Sequence, residues 1–394
     1  MKLKNNNIDI FCQVVDNFGD AGFSFRLAKF LKRTKPQRQI RLFINELKTL
    51  AQIIPGVNPE RPMQNIEGVD IIVIIDQEVK RITHLQFASL AIESLSSPIP
   101  EVIRKHVHKD VELIITLEHL SGEKIFESMH GLPVPNRQGI PRYLMAQGFS
   151  NKSAGILIEP NIQKTINDVN NSRQKWRNKF LQPYSSFLPS DLSQIKMGSI
   201  FSYEHDFEIL LTNVKSGDDD MLLIVLGDQS QVSMKTALQY EQTFWLSEEV
   251  AKIGNNYLVF PELMPQEDYD NLLMVMDFNF VRGEDSLARA ILSGKPFLWH
   301  SYDQGDNYQL VKVEAFLEVL IKCQDSVQVF TQYVQLMRAY NWRKTKTDND
   351  PPPENYFHFF KNFATIHNWI NKLRQDLILQ GGLIPCMEQF IESI

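Results

Sequence analysis

The sequence predicts an α/β protein made of two Rossmann-like units. Short apolar runs alternate with stretches whose apolar residues recur every three to four positions. This alternation lapses into a polar stretch near the middle of the chain and then restarts. Each half also has a junction at which an apolar run gives way to glycine and carboxylates just before a helix, at 16–22 and at 282–286. Strands joined by helical crossovers pair in parallel, and the helices cover both faces of the resulting sheet.

In the first half, residues 8–15 read as a strand, and Phe23, Leu27, Phe30 and Leu31 share one face of the helix that follows. Between them lies Asp16-Asn17-Phe18-Gly19-Asp20-Ala21-Gly22. Gly19 and Gly22 suit positive φ or the close approach of a ligand, and a helix start offers unpaired N–H groups and a dipole that favour anions. The two carboxylates admit two readings. Asp20 caps the helix while Asp16 initiates the turn, or the pair carries chemistry. Residues 40–44, 69–75, 111–117 and 154–158 read as further strands, and 83–95 as a helix.

Residues 167–194 are polar, with Pro183 and Pro189 interrupting a short helix around Trp176, and the domain junction is placed there. The boundaries expected are 1–165 for the first domain, 166–194 for a linker, 195–355 for the second domain and 356–394 for a helical segment. Strands resume at 196–203, 221–226, 257–260, 277–281 and 296–299. Arg282-Gly283-Glu284-Asp285-Ser286 precedes a helix carrying Leu287, Ala290 and Ile291, which Gly294 and Pro296 stop. Ligands of doubly wound sheets bind beyond the carboxyl ends of the strands, so N–H groups near Ser286 suit a phosphate. Capping by Asp285 or Ser286, with Glu284 favouring the dipole, accounts for the same residues. Phe201 and Tyr203 close a strand and suit either a planar base or ordinary packing. Gln266 suits a hydrogen bond to a base or sugar, or simply opens the helix containing Leu272 and Leu273. Three prolines make 348–353 a loop, and 356–379 carries aromatic and aliphatic residues at helical spacing.

The 394 residues are 43% hydrophobic and 22% charged, which excludes extensive disorder. A net charge of -6 argues against a broad nucleic-acid-binding surface. Cys12, Cys323 and Cys386 lack the paired spacing of zinc sites or disulfide frameworks. His119, His130 and His300 are dispersed, so no metal is assigned. The start of the sequence has no secretory signal, and no apolar stretch is long enough to span a bilayer. The expectation is a cytoplasmic enzyme with no membrane partner and no direct nucleic-acid partner. The missing GxGxxG after the first strand disfavours a dinucleotide oxidoreductase.

Residues 16–22, Leu117-Glu118-His119-Leu120-Ser121, His130-Gly131-Leu132-Pro133, Phe201-Ser202-Tyr203 and 282–286 occur in order through most of the chain. Together they resemble the bacterial protein-arginine rhamnosyltransferases that modify elongation factor P, the EarP family. The resemblance implies the GT-B glycosyltransferase architecture, two Rossmann-like domains facing across a cleft, with 356–394 crossing back to the first. It implies inverting transfer of rhamnose from dTDP-β-L-rhamnose to an arginine of elongation factor P, without a cofactor. Acceptor binding then falls to the N-terminal domain and donor binding to the C-terminal one. Carried over by position, Asp20 is the catalytic carboxylate, Asp16 the second acid that helps hold the guanidinium, and Glu284 the essential acid on the donor side. Asp285 and Ser286 contact the diphosphate and sugar, and Phe201, Tyr203 and Gln266 form the thymidine pocket. Asn17, Phe18, Gly19, Arg282 and Gly283 complete the substrate-binding set. Two stretches depart from the family pattern: His119 replaces an aromatic hydroxyl residue, and 143–149 is less aromatic. The rival readings are another GT-B enzyme with a different sugar or acceptor, and a non-catalytic nucleotide-sugar-binding protein.

Overall fold

A computed structural model describes residues 3–15, 17–75, 79–135, 139–303, 305–343 and 353–394, without the side chains of Asn17, Val79 and Lys80. The chain divides into two compact units, Met1–Ile162 with Leu377–Ile394, and Gln163–Asp376.

The first unit holds β1 (Ile8–Cys12), β2 (Ile40–Ile44), β3 (Met63–Ile66), β4 (Val69–Val73), β5 (Leu90–Glu93), β6 (Leu113–Leu117) and β7 (Arg142–Met145). Their order is β3-β4-β2-β1-β5-β6-β7, parallel throughout except for the β3–β4 pair. From β1 the chain runs to β2 and β4 on one side and returns to β5 on the other, so the topological switch point lies between β1 and β5. Every residue of β1 is buried, as expected of a strand covered on both faces. Its one charge, Asp9, meets the Arg41 guanidinium through bonds of 2.6 and 2.7 Å. The helix Asn17–Thr34 buries Phe25, Leu27, Ala28 and Leu31 in the core that also takes Leu383, Ile384 and Met387 of the helix Leu383–Ser393.

Several expectations for this unit need correction. The first strand ends at Cys12 rather than at 15, because the next three N–H groups leave the ladder and bond to side chains. Residues 83–95 are not a helix; they contain β5 and run into the 3-10 turn Ser94–Ser96. A buried strand flanked by apolar residues mimics helical spacing over so short a run. The apolar run 154–158, buried as far as Leu157, is no strand. Its Ile156 carbonyl instead accepts Leu383 N–H at 2.8 Å, beneath the C-terminal helix. Gly19 and Gly22 lie inside the helix Asn17–Thr34, and neither has a positive φ.

The second unit holds β8 (Lys196–Phe201), β9 (Met221–Leu226), β10 (Thr243–Trp245), β11 (Val250–Ile253), β12 (Asn256–Val259), β13 (Phe278–Arg282) and β14 (Phe297–His300). The order is β10-β11-β12-β9-β8-β13-β14, with a parallel core and an antiparallel extension through β11 and β10. That extension was not anticipated. Residues read as a linker are helical, Ile162–Asn171 and Arg173–Leu181, and belong mostly to the second unit. Arg173 and Arg177 fasten them there by donating to Asp277 and to the Val275 carbonyl. The C-terminal segment divides between the units at 376/377. The proline loop 348–353 lies outside the described residues apart from Pro353.

Candidate active site

In the first unit, the loop after β1 is pinned by side chains. Gln13 N–H donates to Ser97 Oγ at 3.1 Å, Val14 N–H to Asn45 Oδ1 at 2.8 Å, and Val15 N–H to Asp20 Oδ2 at 2.8 Å. Asn45 follows β2 and Ser97 follows β5, so side chains at the carboxyl edge of the sheet hold the loop that leads to Asp20. Asp20 is 7% exposed and sits in the first turn of a helix that begins at Asn17; it is therefore not the helix cap. Its carboxylate reaches back to an N–H ahead of the helix, as the acid of a capping box does. The Cys12 thiol donates to the Asp20 carbonyl at 3.5 Å. Burial, with Asp20 adding to it, pushes that thiol up to about 12 and keeps it neutral. Phe18 packs on the core and Gly19 is exposed. Asp16 and the Asn17 side chain lie outside the described residues.

In the second unit, β13 delivers Arg282 to the start of the helix Gly283–Ser293. Gly283 has φ +69°, and a Cβ there would lie 3.3 Å from Tyr203 Oη. Its carbonyl accepts the Trp299 indole N–H at 3.0 Å, which fixes the peptide ahead of Glu284. Glu284 Oε1 is 2.8 Å from Lys312 Nζ, and both side chains are largely buried, at 15% and 17% exposed. Lys312 lies on the helix Gln309–Leu320, 28 residues on, and no local pattern in the sequence marks it. Asp285 and Ser286 share the first turn with Glu284, and Ser286 lies beside the buried Tyr269 phenol. Gln266 opens the helix Gln266–Val275 one turn ahead of Tyr269, whose ring meets Phe201 edge-on at 5.5 Å.

Phe201 and Tyr203 do come together, but Arg282 lies against both. Its guanidinium carbon is 4.3 Å from the first ring centroid and 4.9 Å from the second. Arg282 Nη1 also donates to the Ser202 carbonyl at 3.0 Å and to Gln229 Oε1 at 2.8 Å. Beneath them, Arg343 Nη2 is 2.5 Å from His300 Nε2 and Ser202 Oγ is 2.7 Å from His300 Nδ1. A guanidinium only donates, so Nε2 accepts, and the imidazole proton sits on Nδ1 and points to Ser202. Tyr340 Oη donates to the same hydroxyl at 2.8 Å. Burial, reinforced by the Arg343 charge, pushes His300 well below the ordinary histidine range and keeps it neutral.

Among the described residues, no group of three or more His, Cys, Asp or Glu is arranged to hold a metal ion, and no helix is long and apolar enough to cross a membrane.

Two Rossmann-like units, each with acids or oriented donors at a strand-to-helix junction, have the architecture of the GT-B class of glycosyltransferase. The fold matches the structure described as the basis for EarP-mediated arginine glycosylation of translation elongation factor EF-P, at TM-score 0.63 and 20% identity over 98% of this chain and 99% of that one. It also matches a glycosyltransferase from Rickettsia africae, at TM-score 0.50 and 11% identity over 99% and 98%. A family model described as Elongation-Factor P (EF-P) rhamnosyltransferase EarP matches residues 8–392, and the chain belongs to that family. The protein-arginine rhamnosyltransferase of Shewanella oneidensis is 32% identical, over 79% of this chain and 80% of its own length. That of Pseudomonas aeruginosa is 32% identical over 79% and 81%. The enzyme class is that of the protein-arginine rhamnosyltransferases.

Proposed function

We propose that this chain transfers rhamnose from dTDP-β-L-rhamnose to an arginine of elongation factor P, with inversion at the anomeric carbon, in the cytoplasm and without a cofactor. The family match and its relatives support the arginine acceptor and the rhamnosyl group. The observation that carries the chemistry is Asp20, a buried carboxylate at the carboxyl edge of β1 whose position is set by Val15 N–H.

Arginine has a pKa above ~12 and a carboxylate one near ~4, a gap worth roughly 11 kcal/mol against full proton transfer beforehand. Asp20, with Asp16 beside it in sequence, instead orients the guanidinium by charge-assisted hydrogen bonds. One guanidinium nitrogen attacks C1 of the sugar as the bond from C1 to the phosphate oxygen breaks. That electron pair leaves with dTDP. The attacking nitrogen becomes more acidic as its bond to C1 forms, and its proton passes to Asp20. Negative charge growing on dTDP is stabilised at the N-terminus of the helix Gly283–Ser293, where Asp285 and Ser286 meet the diphosphate and sugar. Glu284 is the acid that holds the donor sugar. Phe201, Tyr203 and Gln266 receive the thymidine. Arg282 leaves the two rings as the base enters, and with Gly283 it lines the diphosphate. Asn17, Phe18 and Gly19 shape the acceptor side.

The anomeric configuration of the product tests the displacement. A single in-line step from the β donor yields an α-rhamnosyl arginine by NMR; a β linkage would refute it.

A further inference from the structure

A pocket of about 310 Å³ opens in the first unit at the β1–β5 switch point. Its lining comes from the carboxyl ends of β1, β2 and β4 and from the segment after β5: Cys12 and Gln13, Asn45, Ile74, and 98–102 with Arg104. We propose that it seats an apolar side chain of the acceptor polypeptide, next to the arginine that is modified. This rests on the acceptor-side reading of Asp20.

Several of the pocket's polar groups are engaged from within, and Glu101 adds an exposed carboxylate to its lining. Asn45 Oδ1 accepts Val14 N–H at 2.8 Å, and Gln13 N–H is held by Ser97 Oγ. Arg104 turns Nε and Nη2 back onto the Ile99 carbonyl at 3.2 and 3.1 Å. Ile99 N–H donates to Glu93 Oε1 at 3.2 Å, and Glu93 itself is held by Thr116 and Arg142. A phosphate or sugar entering here would be desolvated against these engaged groups, and the Glu101 carboxylate would repel the phosphate. Ile74, Ile99 and Val102 leave an apolar surface, and its volume is at the low end of ligand pockets, which run from about 300 to 1,000 Å³. Val102 lines the pocket while 51% exposed, so it can be reached from solvent. The location completes the assignment. Gln13, in the pocket lining, begins the three-residue loop whose last N–H is held by Asp20, so an acceptor chain engaging Asp20 runs past this opening.

Val102→Asp puts a charge in the pocket while suiting the second position of the helix Glu101–Asp110, where an acid complements the dipole. Initial rates are measured with unmodified elongation factor P varied at saturating dTDP-β-L-rhamnose, then with the donor varied, alongside thermal midpoints. The expected result is a fall of about tenfold or more in acceptor kcat/KM, with the donor KM and the midpoint unchanged. Val102→Ile should stay within about threefold of the parent. Acceptor kinetics of Val102→Asp within twofold of the parent, equal losses in both variants, or a rise in donor KM alone would overturn the proposal. A parent protein that transfers no rhamnose overturns the function itself, which is a distinct outcome.

Discussion

Replacing Asp20 by Asn removes one charge and leaves the shape of the helix start in place, which separates chemistry from folding. The Asn amide oxygen can still accept Val15 N–H, now bonded at 2.8 Å, so what is lost is charge assistance. A charged acceptor is worth about 1.5–3 kcal/mol and a neutral one about 0.5–1.5, so stability should fall by about 1 kcal/mol. Turnover should fall by about 10²–10⁴, the usual contribution of a positioned general base, or roughly 3–5 kcal/mol of barrier. The assay is single-turnover transfer to elongation factor P, with dTDP binding measured by calorimetry and stability by urea unfolding. Turnover within tenfold of the parent, with dTDP binding intact, would refute the role given to Asp20.

Gly283→Ala forces a side chain into the left-handed region at φ +69°, 3.3 Å from Tyr203 Oη. It should cost about 1–2 kcal/mol of stability and raise the donor KM several-fold with the acceptor KM unchanged, read by urea unfolding and initial rates. Lys312→Met leaves the largely buried Glu284 carboxylate without its 2.8 Å ion pair, so donor kcat/KM should fall by about 10–100-fold. Lys312→Arg should restore most of it, whereas Lys312→Met within twofold of the parent would remove Lys312 from the donor site. His300 has a folded-state pKa below its unfolded value, so the unfolded chain binds more protons below pH ~6.5. Its contribution is flat above that pH and is lost as pH falls, at up to about 1.4 kcal/mol per pH unit, as protonation sets a second cation against Arg343. Urea unfolding from pH 8 to 5 should show this slope, and His300→Gln should flatten it.

Much of the fold was legible because parallel strands buried on both faces appear as nearly continuous apolar runs; 40–44, broken only by Arg41, and 221–226 match β2 and β9 residue for residue. The misses have physical causes. β5 carries Glu93, whose charge is answered by Arg142 and Thr116 far along the chain, so its burial could not be read locally. Residues 154–158 are apolar because the helix Leu383–Ser393 covers them, not because they join the sheet. β10 and β11 are short, and the antiparallel edge they form exposes Phe244 and Trp245. Of the site, the junction residues were visible as glycine and carboxylates before a helix. Lys312, Ser97 and Asn45 were not, since each acts through a partner brought near only by the fold. Phe201, Tyr203 and Arg282 were each singled out, but that the guanidinium lies against both rings could not be read from the sequence.

The most direct test is the intact mass of unmodified elongation factor P after incubation with this protein and dTDP-β-L-rhamnose, followed by fragmentation to locate the modified residue. One deoxyhexose on a single arginine is expected with the parent protein and none with Asp20→Asn. An unchanged mass with the parent, or a deoxyhexose on another residue type, would contradict the function proposed.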